Sequence, residues 1–260
     1  MKRTLALGIS IAVLLTGCSA KSSPNPVESL KPGQGAAAPM GGTFLNEKIP
    51  ENILAIPFFD SNGKSFTLGS LSGKTVVLSN FLTSCQEICP MTTANMRDIG
   101  DAVAASSSKN KVEVLELSVD AQRDNVSRLK AYAALFNDSN FTLASGTLEG
   151  IKNFWTYFGA PPVRVETSKA EAAKAPVDWQ TGKPLTYDIS HADLIVIISP
   201  DSKWTWLDLG SPSAKSPIPA KLKAFLTADG LANLVKAQEP SWSVPTALAA
   251  LSQLVGDKIS

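Results

Sequence analysis

From about residue 50 onward, hydrophobic and polar positions sort into short apolar runs separated by segments of helical spacing. Thr75–Phe81 is apolar and β-branched, the pattern of a buried strand. Ile53–Phe59 and Ser65–Leu68 flank Asn62-Gly63, a pairing that predicts a hairpin with its turn at those two residues. Met91, Met96, Ile99 and Val103 fall near helical spacing, so a helix follows residue 89. Val112–Val119 reads as a second strand, Arg123–Phe136 as a helix, Phe141–Leu143 as a short strand and Leu148–Phe158 as a further helix. Pro161–Asp188 has no clear period and predicts an irregular excursion over one sheet edge. Leu194–Ile198, a turn at Pro200-Asp201-Ser202, and Trp204–Leu209 then predict a strand pair, with a closing helix over Pro217–Leu226. Two short helical patterns follow residue 229, broken by Pro240 and Pro245. Strands alternating with helices predict an α/β fold with a central mixed sheet.

The first 50 residues differ in kind. Met1-Lys2-Arg3 is basic, and Leu5–Leu15 is an apolar stretch too short to span a bilayer comfortably. It ends in Leu15-Thr16-Gly17-Cys18, which resembles the lipobox of bacterial lipoproteins, where the cysteine is acylated and becomes the mature N-terminus. Residues 1–18 are therefore expected to be a lipoprotein signal and Cys18 the lipidation site. The protein is expected outside the cytoplasm, on the periplasmic side or the outer face of a bacterial membrane. Residues 19–46, rich in Ser, Pro, Gly and Ala, predict a flexible linker. One domain is expected over 47–228 and a C-terminal extension over 229–260. A formal net charge of +1, with both signs interspersed, gives no footprint for nucleic acid.

The chemistry concentrates after Thr75–Phe81, at Cys85-Gln86-Glu87-Ile88-Cys89-Pro90. Pro90 suits the first turn of a helix, where its missing N–H costs nothing. Strand, cysteine turn and helix place a thiol pair at the positive end of a helix, which favours thiolate over thiol. Residues four apart there lie on one side, roughly 6 Å along the axis. Such sulfurs hold a soft ion or close a disulfide. The rest of the chain offers only Cys18 and one histidine, His191, so a four-ligand structural zinc site is poorly supplied. A thioredoxin-type redox motif has two intervening residues where this chain has three. By itself the pair reads as copper ligands, a redox couple or a structural staple. Met91 and Met96 are soft donors, though such methionines more often fill a core. In a thioredoxin-like sheet, Leu194–Ile198 runs antiparallel to the cysteine strand, so its beginning lies beside that strand's end and His191 approaches Cys85 and Cys89. Two thiolates and an imidazole suit copper in either oxidation state.

Taken together, these residues resemble the Sco/SenC family, thioredoxin-fold copper chaperones of cytochrome c oxidase assembly. The matching pieces are Phe81–Pro90, Ser118-Val119-Asp120 with Arg123-Asp124, Thr142–Phe158, and His191 standing nine residues before Pro200-Asp201. The resemblance spans about Glu51 to Leu226. It implies Cu(I) or Cu(II) bound by Cys85, Cys89 and His191, and the CuA centre of cytochrome c oxidase subunit II as recipient. It also allows for a copper-donor or thiol-reductant protein as a second partner. This chain departs from the family's pattern at three places. Gln86-Glu87 stands where Pro-Asp is usual, Ser190 and Ala192 flank the histidine in place of an aspartate and a hydroxyl residue, and Ser202 replaces a glycine. The alternative is an extracytoplasmic thiol–disulfide oxidoreductase with Cys85 and Cys89 as its redox pair, acting on cysteines of the oxidase or another exported protein. A copper chaperone is the favoured expectation, and the two roles are compatible because an acceptor must have reduced thiols to be loaded.

Overall fold

β5, Thr75–Phe81, is buried at every position, as its place in the sheet demands. It pairs in parallel with β6 (Val112–Ser118) on one side and antiparallel with β10 (Leu194–Ile198) on the other. Helices cover both faces, so alternation is replaced by a continuous apolar run. The computed structural model describes residues 36–37, 41–137, 140–168, 177–213 and 216–260. The signal segment, Cys18 and most of the stretch expected to be a linker lie outside the described residues. No helix among the described residues is long and apolar enough to cross a membrane.

The remaining strands of the main sheet are β1 (Ala36–Ala37), β2 (Thr43–Lys48), β3 (Pro57–Asp60), β4 (Ser65–Thr67), β7 (Thr142–Gly146) and β11 (Lys203–Leu209). The order is β1-β2-β11-β10-β5-β6-β7-β3-β4. Only β5–β6 and β6–β7 are parallel; the other neighbours are antiparallel. α2 (Cys89–Ala105) connects β5 to β6, and α3 (Val126–Phe136) connects β6 to β7. This is the expected thioredoxin-like architecture, a mixed sheet flanked by helices. α2 and α3 share a face, where the hydroxyls of Thr93 and Tyr132 stand 3.4 Å apart. α1 (Glu51–Leu54) and α4 (Leu148–Tyr157) cover the other, with Phe154 edge-on to Phe58.

Several boundaries differ from the sequence pattern. Ile53 and Leu54 are helical, not extended: their N–H groups both donate to the carbonyl of Pro50, and only Pro57–Asp60 forms the strand. α3 begins at Val126, not Arg123, because Asp120–Asn125 form a tight turn and the Asn125 side chain caps the helix by accepting from the Arg128 N–H. The sheet starts earlier than expected: Thr43–Lys48 pairs with β11, so Thr43–Asn46 is strand rather than linker. The excursion over 161–188 contains β8 (Val163–Glu166), paired antiparallel with β9 (Tyr187–Ser190). The closing helix shrinks to α5 (Ala220–Lys223).

The C-terminal residues form α6 (Ala228–Asn233), β13 (Ser241–Trp242) and α7 (Val244–Val255). Pro245 does not break a helix here. It sits in the first turn of α7, which Ser243 caps by accepting from the Thr246 N–H. β13 pairs in parallel with β12 (Ser211–Pro212). α7 brings Ala247, Leu248 and Leu251 onto the core shared with Met96, Ile99, Val103, Ile195 and Trp206. Met96 is thus core filler, and Met91 is likewise buried.

Candidate metal centre

Cys85 lies in the turn between β5 and α2, and Cys89 is the first helical residue. Both are free thiols. The turn folds back so that Cys85 Sγ accepts from the backbone N–H groups of Ile88, at 3.4 Å, and Cys89, at 3.2 Å. These are unpaired donors of a helix start, the groups that stabilise a thiolate. Cys85 Sγ thus lies directly against the backbone of Cys89. The two thiols are not equivalent. Cys85 is half-buried, whereas Cys89 is 1% exposed. Burial, and then the neighbouring Cys85, push the Cys89 thiol well above its ordinary range. The expectation that the helix start lowers the proton affinity of both cysteines fails at Cys89, because desolvation outweighs the backbone dipoles there.

His191 sits just before β10, which runs antiparallel to β5 as expected, with Ile195 opposite Ser79. Asn80 on β5 fixes its position. The Asn80 amide nitrogen donates to the Ala192 carbonyl at 2.6 Å and lies 3.2 Å from His191 Nδ1, while Asn80 Oδ1 accepts from the Leu194 N–H at 3.3 Å. His191 Nδ1 is also 3.1 Å from the Ala192 carbonyl and 3.7 Å from Asp193 Oδ1. The role of Nδ1 depends on the tautomer: unprotonated it accepts from the Asn80 amide, whereas protonated it donates to the Ala192 carbonyl and leaves the Nε2 lone pair free to ligate. Among the described residues, no three His, Cys, Asp or Glu side chains stand together as a ready metal cluster. The fold sets both cysteines between β5 and the start of α2 and holds His191 beside the end of β5, against Asn80.

Behind the turn lies a buried ionic network. Asp124 accepts from the Thr83 N–H at 3.1 Å and from the hydroxyls of Thr83 and Ser118. Arg128 donates to Thr83 Oγ1, to Ser84 Oγ at 2.8 Å, to Gln180 Oε1 at 3.2 Å and to both carboxylate oxygens of Asp178. Trp179 Nε1 donates to the Thr83 carbonyl at 2.7 Å. The residues immediately before Cys85 are thereby pinned from three elements. A second cluster steadies the strand leading to His191. The Tyr187 hydroxyl donates to Asp120 at 3.0 Å, Arg123 Nη1 donates to the Tyr187 carbonyl at 2.9 Å, and the Arg123 guanidinium lies 3.8 Å over the Tyr187 ring. The Asp120, Arg123 and Asp124 motif thus supports both halves of the site. The mouth is acidic: burial, and then Asp229, Asp188 and Asp193, raise the Glu87 carboxyl.

Sequence reasoning missed Asn80, although a polar residue in an otherwise apolar strand was its signal. It also missed Arg128 and Asp178, whose partners are distant in the chain.

Residues 55–225 match the SCO1/SenC family model. The chain belongs to the SCO1/SenC family. It is 25% identical over 164 residues to the SCO1 protein homolog of Bacillus subtilis (strain 168), covering 63% of this chain and 76% of that protein. It is 22% identical over 159 residues to the "Putative copper-binding protein" of Stutzerimonas stutzeri, covering 58% and 70%. Among solved structures it is similar to a SCO1/SenC family lipoprotein from Bacillus anthracis str. Ames. That likeness has a TM-score of 0.50 and 25% identity, and covers 67% of this chain and 90% of that one. The family match ends before α6, so α6, β13 and α7 lie outside it.

Proposed function

We propose that this protein is a lipid-anchored, extracytoplasmic copper chaperone in which Cys85, Cys89 and His191 hold one copper ion and pass it to the CuA centre of cytochrome c oxidase subunit II. The observation that carries the reading is the pair of free cysteines at the start of α2, with Cys85 Sγ accepting from the backbone N–H groups of Ile88 and Cys89, inside the family match. Two soft thiolates suit Cu(I), and an imidazole added to them retains Cu(II). Relatives named as SCO1 homologue and copper-binding support copper as the cargo. Half-buried Cys85 is the sulfur that an acceptor's ligands reach first, so ligand exchange begins there. The acidic mouth favours the approach of a cation. Cys18 supplies the anchor in this reading; the Leu15-Thr16-Gly17-Cys18 sequence and the lipoprotein relative support it.

Copper stoichiometry and absorption of the reduced protein test the assignment, with Cu(I) and Cu(II) measured separately. Cys85→Ala and Cys89→Ala are each expected to abolish tight Cu(I) binding. His191→Ala is expected to weaken Cu(II) while a two-thiolate Cu(I) site remains. Unchanged Cu(II) affinity and spectrum in His191→Ala would remove His191 from the ligand set. Replacing Cys18 with Ala is expected to release the domain from membranes without altering its copper spectrum.

The two free cysteines, with Cys85 Sγ 3.2 Å from the Cys89 backbone nitrogen, also favour a second reading, reduction of an acceptor's disulfide. Cys85 thiolate attacks one acceptor sulfur, giving a mixed disulfide and releasing the other sulfur as thiolate. Cys89, giving its proton to the released acceptor thiolate, then attacks Cys85 Sγ, leaving an oxidised Cys85–Cys89 pair and a fully reduced acceptor. Wild type that binds no copper but cycles its thiols with a thioredoxin-like donor decides for this reading.

A further inference from the structure

The turn between the cysteines touches a part of the chain outside the family match. The Thr227 N–H donates to the Gln86 carbonyl at 2.9 Å, and the Thr227 hydroxyl lies 3.3 Å from the same oxygen. That hydroxyl also caps α6, accepting from the Gly230 N–H at 3.1 Å. Gly230 lies against the turn: a Cβ there would stand 2.3 Å from the Gln86 carbonyl oxygen and 3.0 Å from Glu87 Cα. Its φ is not left-handed, so glycine is required here for space rather than for backbone freedom.

The segment is firmly held beyond this contact. The Ser211 N–H donates to the Pro240 carbonyl at 3.1 Å, and the Ser213 N–H to the Trp242 carbonyl at 2.8 Å. α7 then packs through Leu248 and Leu251 onto the core beneath α2, the helix that carries Cys89. One strut therefore presses on the turn from outside and on its helix from below.

We propose that Thr227 and Gly230 are positioning residues for the Cys85–Cys89 turn: the C-terminal segment holds Gln86 and Glu87 from outside, and so sets the spacing of the two sulfurs. Copper as the cargo is taken from the reading above, but the sulfur spacing is also measurable without metal.

The test uses the full chain in a Cys18→Ser background, so that only Cys85 and Cys89 report. Thr227→Val and Gly230→Ala are compared with Ser243→Ala, which removes the equivalent cap of α7 without touching the turn. One readout is Cu(II) affinity and absorption. The other is the equilibrium of the pair with glutathione, in which Cys85 and Cys89 give two electrons and two protons to glutathione disulfide, yielding one protein disulfide and two glutathione thiols. Thr227→Val and Gly230→Ala are expected to lower Cu(II) affinity about tenfold or more and shift its absorption band, as loss of an outer support does. They are expected to displace the glutathione equilibrium beyond any change in Ser243→Ala, and Thr227→Ser to restore wild-type values. Thr227→Val adds no atom toward the turn, so it carries the test if Gly230→Ala does not fold. Wild-type values in Thr227→Val for both readouts, or equal shifts in Ser243→Ala, overturn the proposal. If wild type binds no copper, the copper reading fails and the glutathione equilibrium alone decides the positioning role.

Discussion

At Asn80 a single side chain meets three groups on the segment 191–194, and removing it leaves the buried Leu194 N–H without that acceptor. An unsatisfied buried polar group costs about 1–3 kcal/mol, so Asn80→Ala is expected to lose stability of that order in urea denaturation. With His191 as the proposed third ligand, the variant should also weaken Cu(II) binding while leaving Cu(I) on the two thiols. The cysteines themselves differ in access, and burial raises the Cys89 thiol well above its ordinary range. In the reduced, metal-free protein, iodoacetamide is therefore expected to modify Cys85 well before Cys89, as peptide mapping over a time course would show. Equal rates would contradict the burial of Cys89.

Among the elements, the turn before Cys85 depends on α3, the helix that contributes Arg128. Removing one partner from a buried ion pair costs about 3–5 kcal/mol. Arg128→Met is therefore expected to destabilise the fold by several kcal/mol and to broaden the copper spectrum, because Thr83 and Ser84 lose their donor. The two acids of this network respond oppositely to pH. Burial, with Asp120 nearby, raises the Asp124 carboxyl from 3.8 to about 6. A carboxyl raised on folding stabilises fully below its unfolded value, and that contribution is lost as pH rises through the folded value. Stability is thus expected to fall between about pH 4 and pH 6, by on the order of 3 kcal/mol at most, with the decline absent in Asp124→Asn. Asp178 is lowered to about 2: its burial opposes ionisation, but hydrogen bonds from Arg128 and Thr181 prevail. Its contribution is present above about pH 4 and lost as pH falls toward 2. Urea melts across pH 2–7 separate the two.

At the scale of the whole molecule, the C-terminal segment belongs to the core. Trp206, Ile195 and Met96 are fully buried in a cluster completed by Trp242, Leu248 and Leu251. Truncation after Leu226 would expose that apolar face and remove the support of the cysteine turn together. The truncated chain is expected to melt earlier and aggregate, seen in thermal scans and size-exclusion chromatography. A chain lacking 227–260 with unchanged melting and copper spectrum would show that the segment is dispensable.

The sequence by itself determined the elements whose period is strong and whose ends carry chemical signals. β5 followed from its apolar, β-branched run, α2 from Pro90 and spaced apolar residues, and the β3–β4 hairpin from Asn62-Gly63. The thiol pair was legible because a four-residue spacing at a helix start has few chemical uses. Elsewhere, contacts remote in sequence decided the outcome. Thr43–Lys48 is a strand because β11 offers it an edge, and α7 persists through Pro245 because its first turn needs no N–H there. The placement of His191 depends on Asn80, 111 residues away, and the Cys85–Cys89 turn meets Thr227 across 141 residues. The proton affinity of Cys89 was misjudged for the same reason: a helix start is visible in sequence, whereas the desolvation that outweighs it arises only when the chain packs around the thiol.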